Sequence, residues 1–146
     1  MALSDFPSRN VFPHTAAINP KGHLAVGGCD VVELAGEHGT PLYVYDERTV
    51  REVCRQYRQE FCSRYPDTKV IYASKAFTNV ALIGLLREEG LGLDVASGGE
   101  LAVGLIGGMP PTAVYFHGNN KHRGELTEAV QSGVGRIVVD NLHELD

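Results

Sequence analysis

The 146-residue chain is long enough for one domain, and 43% hydrophobic residues is ordinary for a globular protein with a packed core. Its formal net charge is -5, from 18 acidic and 13 basic residues, and no block of like charges interrupts the sequence. This balance excludes the basic footprint that binds nucleic acid phosphates. We therefore expect a small-molecule partner and no nucleic acid.

Cysteine usage and the start of the chain predict a cytoplasmic protein. The three cysteines have neither zinc-ligand spacing nor that of a redox pair, which fits buried or half-buried thiols in a reducing compartment. No histidines have metal-ligand spacing, so we expect no metal. The first ten residues lack the basic and apolar regions of a secretory signal, and no stretch approaches the ~18 apolar residues of a membrane span.

Residues 1–41 form a lead-in punctuated by four prolines, with one predicted strand near residues 23–26 before Gly27-Gly28. We expect this lead-in to contribute a strand to another domain. From Leu42 onward the sequence pattern changes, and segments typical of strands alternate with segments typical of helices. The run LYVY at residues 42–45 predicts a strand, and Asp46 is placed to cap the following helix.

Four further apolar runs rich in β-branched and aromatic residues start about every 22 residues, the length of a strand, a helix and two loops. They lie at residues 69–73, 91–95, 113–117 and 136–139. Helical segments are predicted between them, at residues 78–89, 98–106 and 124–131. Ser97 with Glu100, and Asn141 with Glu144, have the spacing of reciprocal N-terminal caps.

Repeated strand-then-helix units with near-continuous apolar strands indicate an α/β fold with parallel strands buried on both faces. An open doubly wound sheet and a closed eight-stranded barrel both use this pattern, and the even spacing without a sign of reversal favours the barrel. A barrel needs about 250 residues. We therefore predict that residues 42–146 are the first half of a (β/α)8 TIM barrel.

Ligands of such parallel arrays bind at the carboxyl ends of the strands, where Lys75 directly follows the run at 69–73. There its amine would lie at the rim of an apolar interior, where partial dehydration favours the neutral amine that attacks an aldehyde. A covalently held cofactor requires such an amine. The alternative is a lysine that extends to water from the sheet edge.

Other polar residues follow the later strands. Asp94 could orient or charge-pair with Lys75, or interact with the next helix start. His117 could stack on or hydrogen-bond a bound ring, or be a satisfied structural histidine. The glycines after the strands follow neither a dinucleotide fingerprint nor a P-loop and indicate turns. Turn and cap roles suit the remaining polar residues, Asn119, Asn120, Asp140 and Asn141.

Three motifs in fixed order resemble diaminopimelate decarboxylases: YASKAF at 72–77, LGLDVASGGEL at 91–101 and FHGNNK at 116–121. The segments at 18–46 and 133–145 are similar to the same family. The resemblance implies a pyridoxal 5'-phosphate enzyme that makes L-lysine and CO2 from meso-2,6-diaminopimelate, acting as a homodimer. It also implies a barrel with a β-rich second domain, which an N-terminal strand from the lead-in would join.

By this resemblance Lys75 is the Schiff-base lysine, and Asp94 and His117 lie against the cofactor. The family's phosphate loop, pyridine partner, substrate arginine and partner-subunit cysteine would follow Asp146. We therefore expect the 146 residues alone to be an inactive N-terminal portion. The alternatives are ornithine or arginine decarboxylases, alanine racemases, a non-catalytic pyridoxal-phosphate carrier, and a remnant with a structural role.

Overall fold

A computed structural model describes residues 11–145 of the protein; the predicted lack of a leader at residues 1–10 lies outside the described residues. The chain divides into two compact units between Val53 and Cys54. Across the described part of the chain, no helix combines the length and apolar character needed to span a lipid bilayer.

The first unit contains a three-stranded antiparallel sheet in which the strands follow chain order, β1 (Ala17–Ile18), β2 (Leu24–Val26) and β3 (Cys29–Asp30). Gly27 and Gly28 connect β2 to β3 with φ of 61° and 85°. Two positive φ angles in succession belong to the tight hairpin turn whose twist matches the flanking strands, and glycine adopts them at little cost. The predicted strand of the lead-in is confirmed as β2.

Helix α1 (Val31–His38) follows β3 without a loop because Asp30 caps it. The Asp30 carboxylate accepts hydrogen bonds from the amides of Val32 at 2.9 Å and Glu33 at 3.3 Å. A short side-chain acceptor at this position satisfies amides that have no partner within the helix. The chain can therefore turn directly from strand to helix.

The strand predicted at residues 42–45 is wrong, since none of these residues is in a strand. Tyr43 is 86% exposed and Tyr45 52% exposed. Aromatic and β-branched composition favours a strand, but a strand forms only where another backbone segment pairs with it. The helix predicted after Asp46 is confirmed as α2 (Glu47–Cys62), whose first turn closes with Val50 N donating to Asp46 O at 3.0 Å.

The second unit is a four-stranded parallel sheet in which strand order follows chain order. The connection between two parallel strands is almost always right-handed. When the strand order does not reverse, such connections place successive helices on the same face of the sheet, as in a barrel and unlike a doubly wound sheet. The predicted strands and helices of this region are confirmed. Their bounds are β4 (Ile71–Ala73), α3 (Val80–Glu88), β5 (Gly92–Val95), α4 (Gly98–Ile106), β6 (Val114–Phe116), α5 (Arg123–Ser132) and β7 (Arg136–Ile137).

The core of this unit lies on one face of the two central strands. Leu93 and Val95 of β5 and Val114 and Phe116 of β6 have no exposed surface. Helix α4 lies against this face so closely that a Cβ atom on Gly104 would be 2.7 Å from Leu93 Cδ2. Each such buried side chain contributes about 1.5–3 kcal/mol to stability, so these strands anchor the loops that follow them.

The opposite face carries a row of residues at matched register: Ala73, Asp94, Tyr115 and Arg136. The Arg136 guanidinium lies 5.9 Å from the centre of the Tyr115 ring, within the range of a cation–π interaction. This face therefore presents polar and charged groups, and in a barrel it is the face that turns inward.

None of the three cysteines forms a disulfide. Cys54 is buried and Cys62 half-buried, as predicted, whereas Cys29 is exposed because it begins the two-residue edge strand β3. Within residues 11–145, no group of three or more histidine, cysteine, aspartate or glutamate side chains is arranged to hold a metal ion.

Candidate functional site

The carboxyl ends of β4, β5 and β6 bring the three predicted site residues to one edge of the sheet. Lys75 lies in the single 3-10 turn that follows β4, Asp94 lies within β5 beside Ala73, and His117 directly follows β6. Because parallel strands end at the same edge, their loops share one surface. The three residues therefore lie at the carboxyl edge of the sheet, as predicted, and their roles in binding or catalysis stay a prediction.

The turn that carries Lys75 is closed by a side chain of the preceding strand. The Tyr72 hydroxyl donates to the carbonyl oxygen of Phe77 at 2.9 Å, across Ser74, Lys75 and Ala76. Ser74 is 2% exposed, and its hydroxyl has no hydrogen-bond partner, whereas Lys75 is exposed. Among the described residues, the Lys75 amine forms neither a hydrogen bond nor an ion pair.

Asp94 and His117 form a loose pair, with 3.8 Å between Asp94 Oδ1 and His117 Nδ1. This distance is too long for a hydrogen bond, and the side chains are 22% and 55% exposed. The His117 backbone is better fixed, since its amide donates to Val95 O at 2.8 Å. The polar side chain near Asp94 is thus the imidazole of His117. Of the two roles that the sequence left open for Asp94, pairing with Lys75 is not seen among the described residues.

The predicted caps are formed with a shift of one residue. The Ser97 hydroxyl accepts from Glu100 N at 3.2 Å, but the Glu100 carboxylate accepts from Ala96 N at 2.8 Å, one residue before the cap. After β7, the Asn141 side chain accepts from His143 N at 3.0 Å and the Glu144 carboxylate from Asp140 N at 3.0 Å. The segment is a 3-10 turn (Leu142–Leu145), a tighter geometry than the predicted helix.

A polar cavity of about 380 Å³ lies beside these loops. Two of its lining residues, Asn119 and Asn120, are exposed and extend the surface that begins at His117. The lining residues are Asn119, Asn120, Lys121, Arg123, Leu126, Asn141, His143 and Glu144.

Lys121 is a residue whose role the sequence did not reveal. Its side chain has no exposed surface, and its amine donates to the carbonyl oxygens of Gly118 and, at 2.9 Å, Val138. The Glu144 carboxylate lies 2.9 Å away; this amine, with the Asp140 amide, holds the pKa of Glu144 below its ordinary value. These partners are up to 23 residues distant in sequence, so no local pattern could have revealed them.

Glu125 is a second residue that was missed. Its carboxylate accepts from Gly98 N at 2.6 Å and His122 N at 2.8 Å, and these amides hold its pKa below the ordinary value. A glutamate at the third position of a helix is typical of a capping box, so the bond to His122 could have been predicted from the sequence. The bond to Gly98 joins α5 to the start of α4, so the Gly98 amide already has an acceptor.

The residues of this edge fit an aldehyde cofactor in their donor chemistry. An accessible primary amine is the group that condenses with an aldehyde, and Lys75 supplies it. The buried, unpartnered hydroxyl of Ser74 lies beside it in the same turn. A buried hydroxyl without a partner is uncommon and requires an explanation; a bound group that reaches it would provide one.

Comparison with known proteins identifies the family. Residues 47–146 match the pyridoxal binding domain of the pyridoxal-dependent decarboxylases. The chain belongs to this family. Its cofactor class is therefore pyridoxal, and the predicted resemblance is confirmed.

Members of the pyridoxal-dependent decarboxylase family with high similarity are diaminopimelate decarboxylases. The chain is 53% identical to that of Bacillus methanolicus over 135 residues, which cover 92% of this chain and 31% of the relative. The structure of the M. jannaschii diaminopimelate decarboxylase in complex with L-lysine superposes with a TM-score of 0.82 at 34% identity, over 90% of this chain and 31% of that one. The chain thus spans about a third of the length of these relatives.

Similarity falls for other members of the family. The lysine/ornithine decarboxylase of Vibrio vulnificus, in complex with putrescine, is 28% identical with a TM-score of 0.63, over 79% of this chain and 31% of that one. The predicted fold class is confirmed: the parallel sheet is part of a (β/α)8 barrel of this decarboxylase type. The lead-in's place in a second domain stays a prediction.

Proposed function

We propose that the full-length protein that contains this chain is a diaminopimelate decarboxylase. It would convert meso-2,6-diaminopimelate to L-lysine and CO2, with pyridoxal 5'-phosphate held at Lys75. The observation that carries this proposal is an exposed, unpartnered lysine at the carboxyl end of β4, in a chain 53% identical to such an enzyme. The 34% identity to a relative crystallised with L-lysine supports the same substrate class.

The bound cofactor would supply the electron sink that accepts the electron pair left when the carboxylate departs. Lys75 Nζ would hold the cofactor aldehyde and, once displaced by the substrate amine, could carry a proton. Tyr72, by bonding to Phe77 O, fixes the turn and hence the direction from which this amine approaches. The buried Ser74 hydroxyl would donate to a polar atom of the bound group.

Asp94 and His117 are proposed as cofactor-binding residues. They lie one and two strands away from the Lys75 turn at the same sheet edge, 3.8 Å apart. This places a carboxylate and an imidazole together at the edge that carries the Lys75 turn. His117 would then present its ring to the bound cofactor, with the Asp94 carboxylate beside it.

The alternatives act on different amino acids. Ornithine or arginine decarboxylase activity is supported less well, because the Vibrio vulnificus relative is only 28% identical. Alanine racemase activity and a non-catalytic pyridoxal-phosphate carrier also remain alternatives. Assay of the full-length protein with meso-diaminopimelate, ornithine, arginine and alanine separates the enzymes, and tight cofactor binding without turnover would identify the carrier.

Borohydride trapping tests the role of Lys75. We expect reduction of the full-length holoenzyme to attach the cofactor to the peptide that contains Lys75, and Lys75→Ala to abolish both labelling and CO2 release. Lys69→Ala is the matched control, because Lys69 is an exposed lysine two residues before the start of β4, away from the end that leads to Lys75. Labelling of another lysine in the wild-type protein would overturn the assignment.

We also propose that the full-length protein is a cytoplasmic homodimer. Analytical ultracentrifugation of the holoenzyme measures the oligomeric state, and cell fractionation measures the location. A monomer with full activity would contradict the dimer.

A further inference from the structure

The Lys121 amine lies where the hydrogen-bond ladder between β6 and β7 ends. The last rung is Val138 N donating to Phe116 O at 2.8 Å. Beyond it, the Lys121 amine donates to Val138 O at 2.9 Å and to Gly118 O. The ammonium thus takes the place of the next rung and satisfies carbonyl groups that would otherwise lack a ladder partner.

The backbone around His117 is also fixed from the side of β5. The His117 amide donates to Val95 O at 2.8 Å. Gly118 has φ 127°, and a Cβ atom there would be 3.0 Å from Ala96 O, so the two loops approach at backbone distance. His117 therefore lies between a backbone bond to one neighbouring strand and the Lys121 bonds to the other.

The burial of this ammonium makes the connection strong. The side chains of Lys121 and Glu144 are 0% and 9% exposed. A buried charge that loses its partner is costly, so Lys121 cannot leave Glu144 and its carbonyl partners without penalty. The arrangement therefore holds the ends of β6 and β7 together.

We propose that Lys121 is a positioning residue for the reaction: its buried ammonium joins the end of β6 to the end of β7 and thereby fixes the His117 imidazole at the cofactor edge. This inference rests on the proposed function. Lys121 itself need not touch the cofactor or the substrate.

The test compares three variants of the full-length holoenzyme: Lys121→Met, Lys121→Met with Glu144→Leu, and Lys69→Met as control. Lys121→Met leaves Glu144 buried without its cation and lowers thermal stability. The double variant replaces both charges with apolar groups, which restores stability. If Lys121 positions His117, the double variant still shows kcat lowered about 10²-fold, because displacement by about 1 Å has that effect, with KM changed less than about twofold.

Hydrogen exchange of the peptide that spans residues 116–121 gives a readout independent of activity. We expect faster exchange there in both Lys121 variants and no change in Lys69→Met. Wild-type kcat and wild-type exchange in the double variant would overturn the inference. If the wild-type protein does not decarboxylate meso-diaminopimelate, the proposed function fails, and unchanged exchange in the variants would separately refute the Lys121 connection.

Discussion

Glu125 connects the starts of two helices, so its substitution gives a sharp test of how this edge is held. The Glu125 carboxylate accepts from Gly98 N of α4 at 2.6 Å and from His122 N before α5 at 2.8 Å. Glu125→Gln keeps the shape of the side chain but has one acceptor oxygen instead of two. One of the two amides must then face an NH2 group and lose its bond.

The expected loss follows from the strength of the lost bond. A hydrogen bond to a charged group contributes about 1.5–3 kcal/mol. Glu125 is half-buried, so water can replace part of it. We expect Glu125→Gln to reduce the free energy of local opening by about 1–2 kcal/mol, roughly a tenfold faster amide exchange.

The effect should depend on pH with a definite sign. The pKa of Glu125 is lowered from 4.5 in the folded protein. A group with a lowered folded pKa contributes stability that is fully present above the unfolded pKa and lost as the pH falls through the folded value. The difference between wild type and Glu125→Gln should therefore be constant near neutral pH and shrink below pH 4.5.

Hydrogen exchange with mass spectrometry measures this opening in peptides that span residues 96–101 and 120–126. The control is Glu128→Gln, because Glu128 is an exposed glutamate on the same helix that accepts no hydrogen bond within residues 11–145. Equal exchange rates for wild type and Glu125→Gln at neutral pH would refute the reasoning. A difference that grows as the pH falls would refute the sign.

Two further predictions concern packing and completeness. Gly135→Ala should lower the melting temperature, because the added Cβ atom would lie 2.2 Å from the Thr112 carbonyl oxygen and the backbone would have to move to accommodate it. Gly36→Ala should raise the free energy of unfolding by about 0.5–1 kcal/mol, because Gly36 lies in a helix and a Cβ atom there would have no neighbouring atom within 4 Å. A polypeptide of residues 1–146 alone should show no decarboxylation of meso-diaminopimelate with added pyridoxal phosphate, and measurable CO2 release would contradict this.

The sequence alone predicted the order of strands and helices from Lys69 onward and the sheet edge that carries Lys75, Asp94 and His117. These features follow from local information: apolar runs, helical periodicity and the rule that parallel strands end together. The strand predicted at residues 42–45 failed because composition gives propensity, whereas a strand requires a pairing partner.

The tertiary structure alone decided which polar groups meet. It placed His117 rather than Lys75 near Asp94, and it directed Glu125 to the amide of Gly98, 27 residues away. It also buried the Lys121 amine between two carbonyl groups and a carboxylate. A sequence pattern gives the periodicity of one helix or strand but not the distance between side chains of different elements. Whether a hydrogen bond or an ion pair forms depends on differences of a few tenths of an ångström in that distance.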